Sequence, residues 1–165
     1  MPDSAAIRQV DSLLKISREI NAAAQKFALE KLGRESASYA DCCARQGAVF
    51  FASGDYPEAE KWHLEAKAIR ERLFGNEHPV YARSLNNLGI LYHDMAQYEK
   101  AESLYLESKL IREKSLGKEH PDYSASLNNL ATLYSDIGNN KAAEPLYLEA
   151  LTLREKIYGK AHPEY

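Results

Sequence analysis

The chain has 165 residues, 45% of them apolar and 27% charged, with a formal charge of −3. That much apolar material supports one extended core, while a slightly acidic balance with no Lys/Arg run longer than two gives no support to a nucleic-acid surface, which needs a concentrated basic stripe. No stretch approaches the roughly 18 apolar residues of a membrane span, and the N-terminus lacks the basic-then-apolar layout of a signal peptide, so a cytoplasmic protein is expected.

Residues 1–32 read as helix. Asp3-Ser4 can cap it, and Ile7, Val10, Leu14, then Ile20, Ala24, Phe27 and Leu32 follow at helical spacing, with Asp11-Ser12 as the place for a bend. From Gly33 onward the chain repeats itself. Gly33, Gly75, Gly117 and Gly159 are about 42 residues apart, as are Tyr39, Tyr81, Tyr123 and Tyr165, and His78, His120 and His162. Residues 33–74, 75–116 and 117–158 are therefore three copies of one unit, and residues 159–165 read as the opening of a truncated fourth. Phe27 falls on the position of Ile69 and Leu32 on that of Phe74, so residues 1–32 are expected to cap the array with a second-helix surface.

Within 75–116, Ala82, Leu85, Leu88, Tyr92 and Met95 recur at three- and four-residue intervals, and so do Ala101, Leu104, Tyr105, Ser108 and Ile111. Each unit is thus two helices, with Pro79 tolerated as a first helical residue and Ala96-Gln97, or Gly138-Asn139 one unit on, breaking the pattern between them. Unit one is the most diverged: Ser36-Ala37 replaces His-Pro and Ala44-Arg45 replaces the Asn-Asn pair, while Gly47, Phe50, Gly54, Tyr56, Ala59, Ile69 and Arg70 keep the register. Pro145 stands within the second helix of unit three, where it costs little if it lies in about the first turn.

Leu88-Gly89-Ile90-Leu91-Tyr92 with Ala101, and Leu130-Ala131-Thr132-Leu133-Tyr134 with Ala143, resemble the tetratricopeptide repeat (TPR). The roughly eight residues beyond that family's usual period of about 34 fall in the second-helix tail and the Leu-Gly-x-Glu-His-Pro loop, as in the longer repeats of kinesin light chains. The resemblance implies an all-α fold, a right-handed α-α superhelix of helix-turn-helix repeats behind an N-terminal capping helix. It also implies a scaffold that recognises proteins through its concave groove.

The groove would be lined by the first helices. Outside their apolar face lie Arg83, Asn86, Asn87, Ile90, His93 and Asp94 in unit two, and Ala125, Asn128, Asn129, Thr132, Ser135 and Asp136 in unit three. A carboxamide offers donors and an acceptor, so it can pair with the backbone of an extended peptide whatever its side chains; in the resembling arrays first-helix asparagines do so. The other reading has one Asn of each pair bonding across the helix stack. Arg45 and Arg83 are the candidates to meet an acidic group, countered in part by Asp41, Asp94 and Asp136. The expected partner-binding set is Arg45, Arg83, Asn86, Asn87, Ile90, His93, Asn128, Asn129 and Thr132, with a protein or peptide as ligand and no cofactor or metal.

The histidines at 78, 120 and 162 stand a full repeat apart, too far to share an ion, and are expected to close the loop or cap the helix. His63 and Trp62 match Tyr105 and Leu104 and read as core, and the adjacent Cys42 and Cys43 as buried or half-buried thiols in a reducing compartment. No phosphate loop, His-Glu-x-x-His motif or nucleophile elbow is present, and Glu60, Glu102 and Glu144 recur with the period, as do Arg70, Arg112 and Arg154. Catalysis is not expected. An array of this kind could stand alone as an adaptor, serve as the sensory arm of a caspase-like peptidase or NTPase switch, or join copies through an apolar end face around Leu148, Leu151 and Ile157.

Overall fold

The computed structural model describes residues 4–159, which contain seven α-helices and no strand: α1 (Ser4–Leu32), α2 (Ala37–Ala52), α3 (Tyr56–Phe74), α4 (Pro79–Asp94), α5 (Tyr98–Leu116), α6 (Pro121–Asp136) and α7 (Asn140–Tyr158). The fold is all-α, as the periodicity requires. The chain divides into two compact units, one ending at Leu73 and the other beginning at Phe74. The opening of a fourth repeat, with His162 and Tyr165, falls outside the described residues, as does the side chain of Ile7.

Helix starts follow local chemistry. His78 and His120 are N-caps whose Nδ1 accepts the amide of Val80 and of Asp122, each at 3.1 Å, and Pro79 and Pro121 open the helices without needing a donor. In the first unit Ser36 takes the capping place and accepts from the Tyr39 amide. The turn between the two helices of a pair needs a left-handed residue. Gly54 and Gly138 supply it with φ near +76 and +78, and Ala96 at the equivalent position is forced to φ 55.

In the second unit, α4 packs on α5 and α6 on α7 through Tyr81, Ala82, Leu85 and Ile111, and through Tyr123, Leu127 and Ala150. The α5–α6 contact joins the two pairs through Ala101, Tyr105, Leu130 and Leu133. Close approach within the first of these pairs depends on Gly89, where an added Cβ would lie 2.6 Å from the Tyr105 ring. Polar groups tie the stack: the buried Arg112 donates to the carbonyl of Asp122 at 2.9 Å and to Ser126 Oγ at 2.8 Å, and the Tyr134 hydroxyl donates to Glu102 at 2.6 Å. Burial draws the Arg112 guanidinium below its ordinary pKa and pushes the Tyr134 hydroxyl up to about 12.

The first unit has its own core of Ala28, Tyr39, Ala40, Cys42, Cys43, Ala66 and Ile69, with Trp62 half-buried against it. The imidazole of His63 packs on Gly47 much as Tyr105 packs on Gly89. Burial, aided by the Arg70 charge, lowers the His63 pKa to about 4.

Three expectations are corrected. Helix α1 runs unbroken through Asp11-Ser12, and most of its predicted apolar positions lie outside the core: Val10, Ile20, Phe27 and Leu32 are all more than half exposed, while Ala24 and Ala28 pack into the core with α2 and Gln25 donates to Cys43 Sγ at 3.6 Å. The reason is register. Phe27 matches Ile111, which faces the first helix of its own pair, and α1 has no such partner among the described residues; Ala28 matches Arg112, which faces the next pair, and that is the face α1 buries. Pro145 is the sixth residue of α7 and so lies in its second turn, where it deprives the Lys141 carbonyl of its helical donor. Both residues are exposed.

Candidate functional site

Alternation of buried and half-buried positions on α4 and α6 defines a polar surface on these two helices. Leu85, Leu88, Leu91, Leu127, Leu130 and Leu133 are fully enclosed, and the intervening Asn86, Asn87, Ile90, His93, Asn128, Asn129 and Thr132 are half-buried. The two helices meet one residue out of register with the repeat, at pairs 43 apart in the chain rather than 42. Asn129 Nδ2 donates to Asn86 Oδ1 at 2.8 Å, and His93 Nε2 lies 2.9 Å from Asp136 Oδ2. Two rungs therefore cross between α4 and α6, one amide and one imidazole–carboxylate.

The remaining predicted residues divide by what they touch. Ile90 is half-buried against the cluster of Ala101, Tyr105, Leu130 and Leu133, so it contributes mainly to packing. His93 sets its ring edgewise to Tyr98 and Tyr105, which orients Nε2 toward Asp136. Thr132 donates to the Asn128 carbonyl at 2.9 Å and accepts from the Tyr147 hydroxyl at 3.1 Å. Tyr147 itself matches Tyr105, but Ala131 replaces Gly89 beneath it, and the ring is 38% exposed where Tyr105 is enclosed. Sequence reading did not single out Tyr147; the Gly-to-Ala exchange opposite it was the available signal.

The carboxamides of Asn87 and Asn128 flank the Asn86–Asn129 rung and make no hydrogen bond among the described residues. Asn128 also borders a small cavity of about 210 Å³ with Leu151 and Arg154. Arg83 is exposed on α4. Arg45 belongs to the first unit, where its guanidinium donates to Cys42 Sγ at 3.2 Å and borders a cavity of about 400 Å³ with Phe27, Ala28 and Asp41, between α1 and α2. Among the described residues no three His, Cys, Asp or Glu side chains converge in a way that could hold a metal ion, and no helix is long and apolar enough to cross a membrane.

Comparison with known proteins bears on this arrangement. The tetratricopeptide repeat model matches residues 40–108 and 91–156. The fold is similar to that of BtubC (BKLC) from P. vanneervenii, at 25% identity and a TM-score of 0.79, over 92% of this chain and 60% of that one, so the chain spans less than two thirds of that protein. It is also similar to two structures of a putative kinesin light chain of P. anserina with nearly identical TPR-like repeats. One is a point-substituted form at 24% identity and TM-score 0.75, over 97% of this chain and 76% of that one, and the other stands at 22% and 0.71, over 99% and 82%. No curated protein matches the sequence significantly.

Proposed function

The chain belongs to the tetratricopeptide repeat family, in its long, kinesin-light-chain-like form, a family of protein-interaction scaffolds, and on that premise we propose that the α4/α6 face binds an extended peptide segment of a protein partner. The observation that carries this reading is the division of labour among four asparagines. Asn86 and Asn129 bond to each other and fix the spacing of the two helices. Asn87 and Asn128 keep their carboxamides open on either side, and each can donate to a peptide carbonyl and accept from a peptide N–H without regard to side chain. Arg83 beside them favours a segment with an acidic group, and Asp94 and Asp136 limit how acidic it is. No step of chemistry is assigned to the protein, and its buried free thiols suit a reducing compartment such as the cytoplasm.

The test is affinity capture from the source's own lysate with the native chain and with Asn87→Ala/Asn128→Ala side by side. A protein held by the first and lost from the second, at unchanged melting temperature, is the expected result; equal capture by both would remove the α4/α6 face from consideration. Asn129→Ala serves as contrast. It breaks the rung and is expected to lower stability by about 1 kcal/mol.

A further inference from the structure

The second helix pair carries a cavity on its loop side, and its origin is visible residue by residue. It measures about 320 Å³ and lies between the loop at Asn76-Glu77 and helix α5, over Leu110 and Ile111. Two substitutions relative to the equivalent positions shape it. Ser115 stands where the first pair has Leu73 and the third has Ile157. The hydroxyl of Ser115 is turned to its own helix, donating to the Ile111 carbonyl at 2.7 Å, so the volume of the missing aliphatic group stays empty. Leu110, where the others have Ala68 and Thr152, is half exposed at the rim.

The charges differ in the same direction. In the first pair Arg34 donates to Glu65 at 2.8 Å, and Arg72 closes on Glu35 with two bonds of 2.8 and 2.7 Å. In the third pair Lys156 closes on Glu119. The second pair keeps the carboxylates as Glu107 and Glu77, but Asn76 replaces the cation found as Arg34 and Lys118, and Lys114 does not close on Glu77. One lysine against two carboxylates leaves the rim net negative. Relative to its neighbours this pair lacks one cation and one branched aliphatic side chain, at adjoining places.

We propose that this cavity is a second protein-binding site, separate from the α4/α6 face, and that it takes a basic–aliphatic pair of side chains from a partner. The partner's Arg or Lys meets Glu107 and Glu77 as Arg34 and Arg72 meet Glu65 and Glu35, and its Leu or Ile fills over Ile111 the volume that Leu73 and Ile157 fill elsewhere. A charge-assisted, two-point contact of this kind gives specificity that a bare apolar hollow lacks.

The experiment is a titration of the ¹⁵N-labelled 165-residue chain with the peptide acetyl-Gly-Arg-Leu-Gly-amide, followed by amide chemical shifts. Saturable shifts confined to the Asn76-Glu77 loop and the last turns of α5 are expected. Acetyl-Gly-Glu-Leu-Gly-amide should bind about tenfold more weakly, having exchanged a charge-assisted contact for a repulsion. Ser115→Leu fills the cavity with the residue its own counterpart carries, so it should fold, melt no lower than the native chain, and lose the shifts. Glu107→Gln should weaken the Arg-Leu peptide without weakening the Glu-Leu peptide. The proposal is overturned by an absence of saturable shifts at millimolar peptide, by equal shifts from both peptides, or by shifts that survive Ser115→Leu. Asn87→Ala/Asn128→Ala leaves the titration unchanged, so this site and the α4/α6 reading stand or fall separately.

Discussion

At the scale of single residues, the molecule repeats positions and varies the chemistry that fills them. The contact between the Ala82 and Ser108 positions is an example: in the second pair the Ser108 hydroxyl of α5 donates to the Ala82 carbonyl of α4, and in the third the Ser124 hydroxyl of α6 donates to the Ala150 carbonyl of α7. The second and third pairs each keep one hydroxyl on opposite helices, while the first pair has Ala40 and Ala66 there and neither hydroxyl. His63 is a second example, a titratable ring in a place that the other pairs give to tyrosine. Its folded pKa of about 4 lies below the unfolded value near 6.5, so the unfolded chain binds more protons between those limits, and stability is retained above pH 6.5 and lost as pH falls toward 4. The loss attributable to this ring is about 3 kcal/mol at most, from 1.36 kcal/mol per unit. Urea titrations at pH 7 and pH 4.5 should show that slope in the native chain and a smaller one in His63→Tyr; equal slopes in the two proteins would place the acid sensitivity elsewhere.

At the scale of elements, α1 departs most from its expected packing. Apolar letters at helical spacing mark two candidate stripes, and only packing decides which is buried. A second helix in this fold has two contact faces, one toward its own pair and one toward the next, and α1 uses the face containing Ala24 and Ala28. It leaves Ile20 and Phe27, 63% and 62% exposed, on the other. Substitution of both by glutamine should therefore change the unfolding free energy by less than about 1 kcal/mol, against several for core positions of that size. Ala28→Gln, which enters the buried face, should cost clearly more. A large loss from Ile20→Gln/Phe27→Gln would restore the register expected from spacing. The loop elements were the most legible in advance, because His78-Pro79 and His120-Pro121 carry cap and first residue together, and their geometry needs no tertiary partner.

At the scale of the whole molecule, each compact unit holds its own core, and the cysteines mark only one of them. Cys42 and Cys43 are the chain's two cysteines, both buried in the first unit, and burial pushes the Cys43 thiol up to about 11. Thiol reagents consequently report opening of the first unit alone. Gly89→Leu drives a side chain into the Tyr105 ring and should unfold the second unit, with a large loss of helical ellipticity. Thiol reactivity in that variant should stay at the native level; a parallel rise would mean that the second unit supports the core of the first.

The sequence by itself determined the period, the helix pairs, their caps and turns and the family, because these rest on local stereochemistry and on spacing, which recur in every copy and are read by subtraction. It also marked the polar faces of α4 and α6, since residues excluded from an apolar stripe must lie elsewhere on the helix. Only the tertiary structure decided that Asn86 and Asn129 hold each other while Asn87 and Asn128 take no part in that bond, that His93 reaches Asp136, and that Arg45 lies beside Phe27. It alone decided which stripe of α1 is buried and that Ser115 leaves a cavity. The physical reason is the same in each case: a side chain's partner is set by the distance between helices that are remote in the chain, and spacing within one helix carries no information about that distance.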